Sequence, residues 1–231
     1  MIIVELYGTP GCGKTTLYQQ VIGKLNAKPY VLANHQLMVD FQLDNFPRRF
    51  GVPRILKEYK HYLLFLSILL SLISYGISKE RIKFTKVLFV FCYRLLKLGQ
   101  ARKYDVIFFE EGLCQMISSI AHDQKIKNNF IDKMLMKQIK KAFPAVKLIE
   151  LNITAEENIK RLRKRNREKS RFDRVPDDHD LAKLLKTKQD NLNQIAKAIA
   201  DKAGLSLDMA ADSEINSDLL AGFIADFFPA G

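Results

Sequence analysis

The stretch ELYGTPGCGKTT, residues 5–16, constrains the fold of this chain more than any other. An apolar run, IIVELY at 2–7, leads into it, and a helical pattern over 15–26 follows. A strand that passes through a glycine-rich loop into a helix commits the chain to a βα unit. Gly8, Gly13, Lys14 and Thr15 satisfy GxxxxGK[ST] in that context, the pattern of a phosphate-binding loop. Gly8, Gly11 and Gly13 let backbone N–H groups turn inward where a Cβ would oppose it. The helix N-terminus adds aligned donors and a positive dipole, which makes an anion cradle. Gly8, Pro10, Gly11, Cys12, Gly13, Lys14, Thr15 and Thr16 are therefore expected to hold nucleotide phosphates, with Thr16 nearest the α-phosphate. Lys14 suits neutralisation of charge on the β- and γ-phosphates, and the Thr15 hydroxyl suits a Mg²⁺ ion. Cys12 reads as a small filler of the loop.

Beyond this unit, short apolar runs at 30–33, 104–109, 146–151 and 205–209 alternate with helical segments at 112–121, 130–142, 155–167, 179–203 and 215–228. Short, wholly apolar strands are those covered on both faces of a parallel sheet, and repeated βα alternation implies an α/β domain with right-handed crossovers. No repeat, low-complexity tract or Pro/Gly/Ser linker divides the 231 residues, so one domain spanning 1–231 is expected. Its one irregularity is 36–103, a helical insertion between the second and third strands. Within it, HYLLFLSILLSLISYGIS (61–78) has no formal charge and just reaches membrane-spanning length. Ser67, Ser71, Ser74 and Ser78 trace one helical face, opposite Leu64, Leu66, Leu69, Leu70 and Ile73, which suits a helix packed within the protein. Lys86, Arg94 and Lys97 make the next apolar segment, 84–99, a poor span. A buried insertion is the expectation, with peripheral membrane contact through 61–99 as its alternative.

A net charge of +12 calls for an anionic partner. Cys12, Cys92 and Cys114 form no CxxC, so neither a disulfide framework nor a zinc site is indicated. The N-terminus lacks a basic n-region before its apolar run, and a cytoplasmic location is expected.

YDVIFFEEGLCQ, residues 104–115, is an apolar strand ending in two acids and a glycine. Such a strand delivers carboxylate to the metal and nucleophile side of a phosphate loop. Successive strand residues face opposite ways, so one of Glu110 and Glu111 is expected to contact Mg²⁺, while one of them, with no choice made between the two, accepts a proton from the attacking hydroxyl.

IKRLRKRNREKSRFDR, residues 159–174, carries nine basic side chains against two acids. Thr154 followed by Glu157 is a capping box that opens a helix, and Arg161 and Arg165 share a face at i, i+4. The helix then gives way to a loop bearing Arg171 and Arg174, closed by Pro176, with Asp177 and Asp178 placed to cap the next helix. Arg174 has the weakest claim to a role, since those aspartates offer it a partner. Only Phe172 interleaves with the charges, which argues against a nucleic-acid surface.

GTPGCGKTT, then LNITAEENIKRLRKRNREKSRFDR, then LSLDMAADSEINSDLLAGFIADFF resemble the thymidylate kinase branch of the nucleoside monophosphate kinase-like family, over about 1–26 and 145–228. The resemblance implies a three-layer P-loop NTPase fold with a five-stranded parallel sheet in the order 2-3-1-4-5, ATP and Mg²⁺ as cofactors, and phosphoryl transfer. By position it implies Arg161 and Arg165 near the donor phosphates, Arg167, Arg171 or Arg174 on a lid over 165–178, and Ala211, Asp212 and Ser213 beside the adenine. That branch has an Asp-Arg pair with an aromatic where this chain has EEGLCQ, and its acceptor-binding pattern is not found in 36–103. The acceptor pocket is accordingly expected to be rebuilt from the insertion, using Asn34, His35, Arg48, Arg49 and Arg54. The expected catalytic set is Lys14, Glu110, Glu111, Arg165 and Arg171. The expected activity is a kinase acting on a small molecule, a sugar, glycoconjugate or nucleotide; the alternative is an ATP-hydrolysing switch with a protein or nucleic-acid partner. A homodimer is compatible with either.

Overall fold

The computed structural model describes residues 1–25, 32–34, 62–101, 104–121, 124–126, 130–165, 171–200, 206–209 and 213–227. Five strands, β1 (Ile2–Tyr7), β2 (Leu32–Asn34), β3 (Val106–Phe109), β4 (Val146–Asn152) and β5 (Ser206–Asp208), form one parallel sheet in the order β2-β3-β1-β4-β5. Glu5 of the central strand pairs in register with Phe109 on one side and Leu148 on the other. All strands end at the same edge, so the loops after β1 and β3 lie side by side there.

Alternation along the strands feeds two cores. Ile3, Tyr7, Ile107, Phe109 and Leu148 face one, and Val4, Leu6, Val106, Phe108 and Leu151 the other. The second core is covered by α1 (Lys14–Leu25) and α8 (Ser213–Ala225), which pack together. The first is covered by α2 (Tyr62–Ser74), α3 (Lys79–Ala101), α4 (Leu113–Ala121), α5 (Phe130–Ala142) and α7 (Asp178–Ile199). Helix α6 (Ala155–Lys164) and a 3₁₀ turn (Arg171–Arg174) meet α7 over a small third core of Leu162, Phe172, Leu181 and Leu185.

Element ends differ from the sequence expectation by a few residues. The third strand begins at Val106, and α6 stops at Lys164 because Arg165 has extended backbone, φ −73°, ψ 109°. The serine stripe of the insertion is reversed. Ser67 and Ser71 are buried beside Leu64, Phe65 and Ile68, whereas Leu66, Leu69 and Ile73 are exposed. Each buried hydroxyl is satisfied within its own helix, Ser67 Oγ donating to the Leu64 carbonyl at 2.7 Å and Ser71 Oγ to that of Ser67 at 2.9 Å. A serine bonded back to its own turn costs little to bury, so small size decided which face packs. Among the described residues, no helix is long and apolar enough to cross a membrane. Cys12, Cys92 and Cys114 are free and buried, and burial pushes the Cys92 and Cys114 thiols up.

Candidate functional site

The loop between β1 and α1 turns through Gly11 at φ 97° and Gly13 at φ 103°. Helix α6 packs directly on it: a Cβ on Gly11 would come within 2.5 Å of Asn158 Oδ1 and 3.1 Å of Leu162 Cγ. Asn158 Nδ2 in turn donates to the Thr9 hydroxyl. The loop is thus clamped from outside while its inner face is left to the phosphates. Lys14 is buried and curls over the cradle, its Nζ donating to the carbonyls of Gly8 at 2.9 Å and Thr9 at 3.1 Å, with Cys12 Sγ at 3.8 Å.

Across the loop, the Thr15 hydroxyl donates to a carboxylate oxygen of Glu110. The structure thereby sets Thr15 against Glu110, one of the two glutamates expected near Mg²⁺. A hydroxyl and a carboxylate side by side beneath a phosphate cradle fit that ion, which takes one or two protein oxygens and completes its octahedron with phosphate and water. Among the described residues there is no cluster of three His, Cys, Asp or Glu that would suit a protein-caged metal. Glu110 and the exposed Glu111 both border a cavity of about 660 Å³. Pro10, Gly11, Gly13, Lys14, Thr15 and Thr16 form its loop side, and Phe84 of α3 with Gln115 and Ser119 of α4 also line it.

The arginines sort into three roles. Arg165, the residue that ends α6, and Arg174 line the cavity. Arg161 braces the loop, donating to Glu157 at 2.9 Å, to the Cys12 carbonyl at 3.4 Å and to the Met209 carbonyl at 3.1 Å. This places it between the phosphate loop and the end of β5. Arg163 takes Asp178 (2.7 Å) and the carbonyls of Val175 and Pro176, while the Asp177 side chain caps α7 by accepting from Asp180 N at 2.9 Å. The partners foreseen for Arg174 are therefore engaged elsewhere. Phe172, 4% exposed, pins the 3₁₀ turn into the third core, and Arg174 borders the site from that anchor. Arg171 opens the same turn.

Of the remaining expected residues, Asn34 ends β2 and Ser213 begins α8. His35, Arg48, Arg49, Arg54, Arg167, Ala211 and Asp212 lie outside the described residues. Gln115, Ser119, Phe84 and Lys188 line the cavity without having been singled out from the sequence. The available signal was the i, i+4 spacing of Gln115 and Ser119 behind the paired glutamates.

Glu5 is the other residue missed. It lies on a buried face of β1 at 0% exposure, and its carboxylate accepts from the backbone N–H of Gly112 (3.0 Å), Cys114 (3.1 Å) and Gln115 (3.2 Å). Glu5 therefore caps α4 and fixes the turn that carries Glu110 and Glu111. Gly112 is required there, because a Cβ would meet the carboxylate at 2.7 Å. Burial pushes the Glu5 carboxyl up to about 7, against the pull of the three N–H groups, and the Glu111 charge adds to the rise. The folded chain then holds this proton more tightly than the unfolded chain. The resulting stability is full below pH 4.5 and is lost as pH rises through about 7, a swing on the order of 3 kcal/mol. Urea unfolding of wild type and Glu5→Gln across pH 4.5–8 should show wild-type stability declining relative to the variant over this window; parallel profiles would remove the assignment.

No curated protein matches the chain. Among solved structures, a deoxyadenosine kinase from M. mycoides with bound dCTP is similar at 15% identity and a TM-score of 0.52, covering 97% of this chain and 100% of that one. With bound dATP the same enzyme gives 14% and 0.49 over the same shares. At this identity the likeness shows the fold, an α/β P-loop fold with a parallel sheet. The model of the ATPase family associated with various cellular activities (AAA) matches residues 4–177, more than half of the sequence. With its phosphate loop, its Thr15–Glu110 pair and this match, the chain belongs to the AAA family of P-loop ATPases.

Proposed function

We propose that the chain is a magnesium- and ATP-dependent phosphotransferase that moves the γ-phosphate of ATP to a hydroxyl or phosphate on a small molecule, a nucleotide, sugar or glycoconjugate. The observation that carries this reading is one cavity of about 660 Å³, bordered by Lys14, Thr15, Glu110, Arg165 and Arg174 on the donor side and by side chains of α3 and α4 as well. Its volume suits a ligand beyond the phosphates themselves, and both arginines come from the same chain.

In the proposed transfer, the acceptor oxygen forms a bond to the γ-phosphorus as the bond to the β–γ bridging oxygen breaks, and ADP leaves. For a hydroxyl acceptor, Glu111 takes its proton. Lys14 moves from the Gly8 and Thr9 carbonyls to the phosphates, and Arg165 and Arg174 stabilise charge on the equatorial oxygens. Thr15 and Glu110 would hold magnesium, which would supply neutralisation of phosphate charge. The similar deoxyadenosine kinase structure with bound dCTP is consistent with nucleotide binding in this fold.

The test is kinetic. Arg174→Ala should lower γ-phosphate transfer to pooled acceptors by roughly 10²–10³-fold and change equilibrium ATP affinity far less. An unaltered transfer rate would remove Arg174 from the site. The family match favours one second reading, ATP hydrolysis coupled to a protein or nucleic-acid partner; there Glu111 would orient water.

A further inference from the structure

Gln115 sits in the first turn of α4, directly behind the glutamate turn, and lines the same cavity as Thr15 and Glu110. It is 8% exposed, and its carboxamide oxygen is out of solvent with no hydrogen-bond partner. Two neighbours share this condition, Ser118 Oγ on the same helix and Thr85 Oγ1 on α3, which packs against α4. An unpartnered buried carbonyl or hydroxyl is costly, and such groups are few in native proteins. Of the three, Gln115 is the one that lines the cavity. Backbone geometry holds it firmly: Glu5 accepts from Gln115 N, and the Ser119 hydroxyl donates to the Gln115 carbonyl at 2.8 Å. The terminal torsion of a glutamine is soft, so with its oxygen unpartnered the amide can turn to meet a ligand. Phe84 of α3 supplies an apolar surface lining the same cavity.

We propose that the α3–α4 wall is the acceptor subsite and that Gln115 is its specificity-determining residue. The Gln115 carboxamide bonds an N–H or O–H of the acceptor close to the hydroxyl that receives the phosphate, and Phe84 covers the acceptor's apolar face. The ligand class is a small molecule that pairs a phosphorylatable hydroxyl with a neighbouring hydrogen-bond donor. Nucleosides and sugars both offer this chemistry. The proposal rests on the phosphotransferase reading and adds to it the residue that reads the acceptor.

The experiment uses the full chain with γ-labelled ATP, magnesium and two separate acceptor panels, one of common nucleosides and one of hexoses and amino sugars. Label entering one panel identifies the source. Gln115→Met keeps the side-chain volume and removes the amide, and Gln115→Glu keeps an oxygen acceptor in place. For the best acceptor, Gln115→Met should raise KM about tenfold or more while ATP affinity is unchanged. Because it also removes the unpartnered carbonyl, its ligand-free melting temperature should equal or exceed that of wild type, so a loss of acceptor binding is not a loss of fold. Gln115→Glu should retain more transfer than Gln115→Met. An acceptor KM unchanged in Gln115→Met, with transfer intact in wild type, overturns this inference alone. No transfer to either panel by wild type, with label passing to nucleotides or glycoconjugates, also overturns this inference alone, and no transfer to any of these acceptors overturns the phosphotransferase reading with it.

Discussion

Replacing Lys14 with alanine is expected to lower ATP turnover by at least about 10²–10³-fold while leaving the fold in place. The expectation follows from where its Nζ sits without nucleotide, bonded to the Gly8 and Thr9 carbonyls of its own loop. Those bonds hold the ammonium at the cradle ready to exchange carbonyl oxygens for phosphate oxygens, so little is spent on ordering it when charge develops. Removing it leaves two loop carbonyls that water can satisfy through the open cavity. Circular dichroism melting should therefore move little, while released or transferred γ-phosphate falls steeply. Turnover within a few-fold of wild type would mean that the loop is not the phosphate site. This variant does not separate transfer from hydrolysis, because both need the same lysine.

Gly11→Ala is expected to have the largest effect on stability, about 2–5 kcal/mol. Two costs combine. The backbone at φ 97° disfavours any L side chain, and the added methyl would lie 2.5 Å from Asn158 Oδ1 and 3.1 Å from Leu162 Cγ, both on α6. Relief requires α6 to back away from the loop, and α6 carries Arg161 and leads into Arg165. Activity should fall together with the melting temperature, which drops by roughly 2–4 °C for each kcal/mol in a chain of this size. Gly23→Ala is the control: at helical φ inside α1, nothing lies within 4 Å of its added Cβ, and it should be neutral or slightly stabilising. A Gly11→Ala melt matching wild type would contradict the clamp of α6 on the loop.

These outcomes depend on contacts of different sequence range, and range governs what was legible in the sequence. The glycine-rich loop is local, with every required residue between Gly8 and Thr16, and its strand, turn and helix form in the expected order. The meeting of Thr15 with Glu110 spans 95 positions; that a glutamate of this pair would lie near the loop was readable because parallel strands end at one edge, but which of the two was not. Thr154 caps α6 by accepting from Glu157 N at 3.3 Å, another local signal. Glu5 was not readable. An acid in the middle of an apolar strand gives no hint of a helix N-terminus more than 100 residues away, and only the packed fold shows that its partners are backbone amides. The serine stripe misled for a related reason, since residue polarity did not reveal that each hydroxyl would bond within its own helix. The aspartates expected to pair with Arg174 are engaged by Arg163 and by the α7 cap, an assignment that geometry within the turn makes and the sequence does not show.

The fate of the γ-phosphate tests the central claim most directly, that one chain holds both an ATP donor site and a small-molecule acceptor in a single cavity. Purified protein, magnesium and γ-labelled ATP would be followed with and without the pooled acceptors, partitioning label between organic and inorganic phosphate. The account predicts label in a new organic phosphate, formed only when acceptor is present and at a rate per chain independent of protein concentration. Label found solely as inorganic phosphate, released at a rate indifferent to acceptors and raised by a protein or nucleic-acid partner, would contradict it.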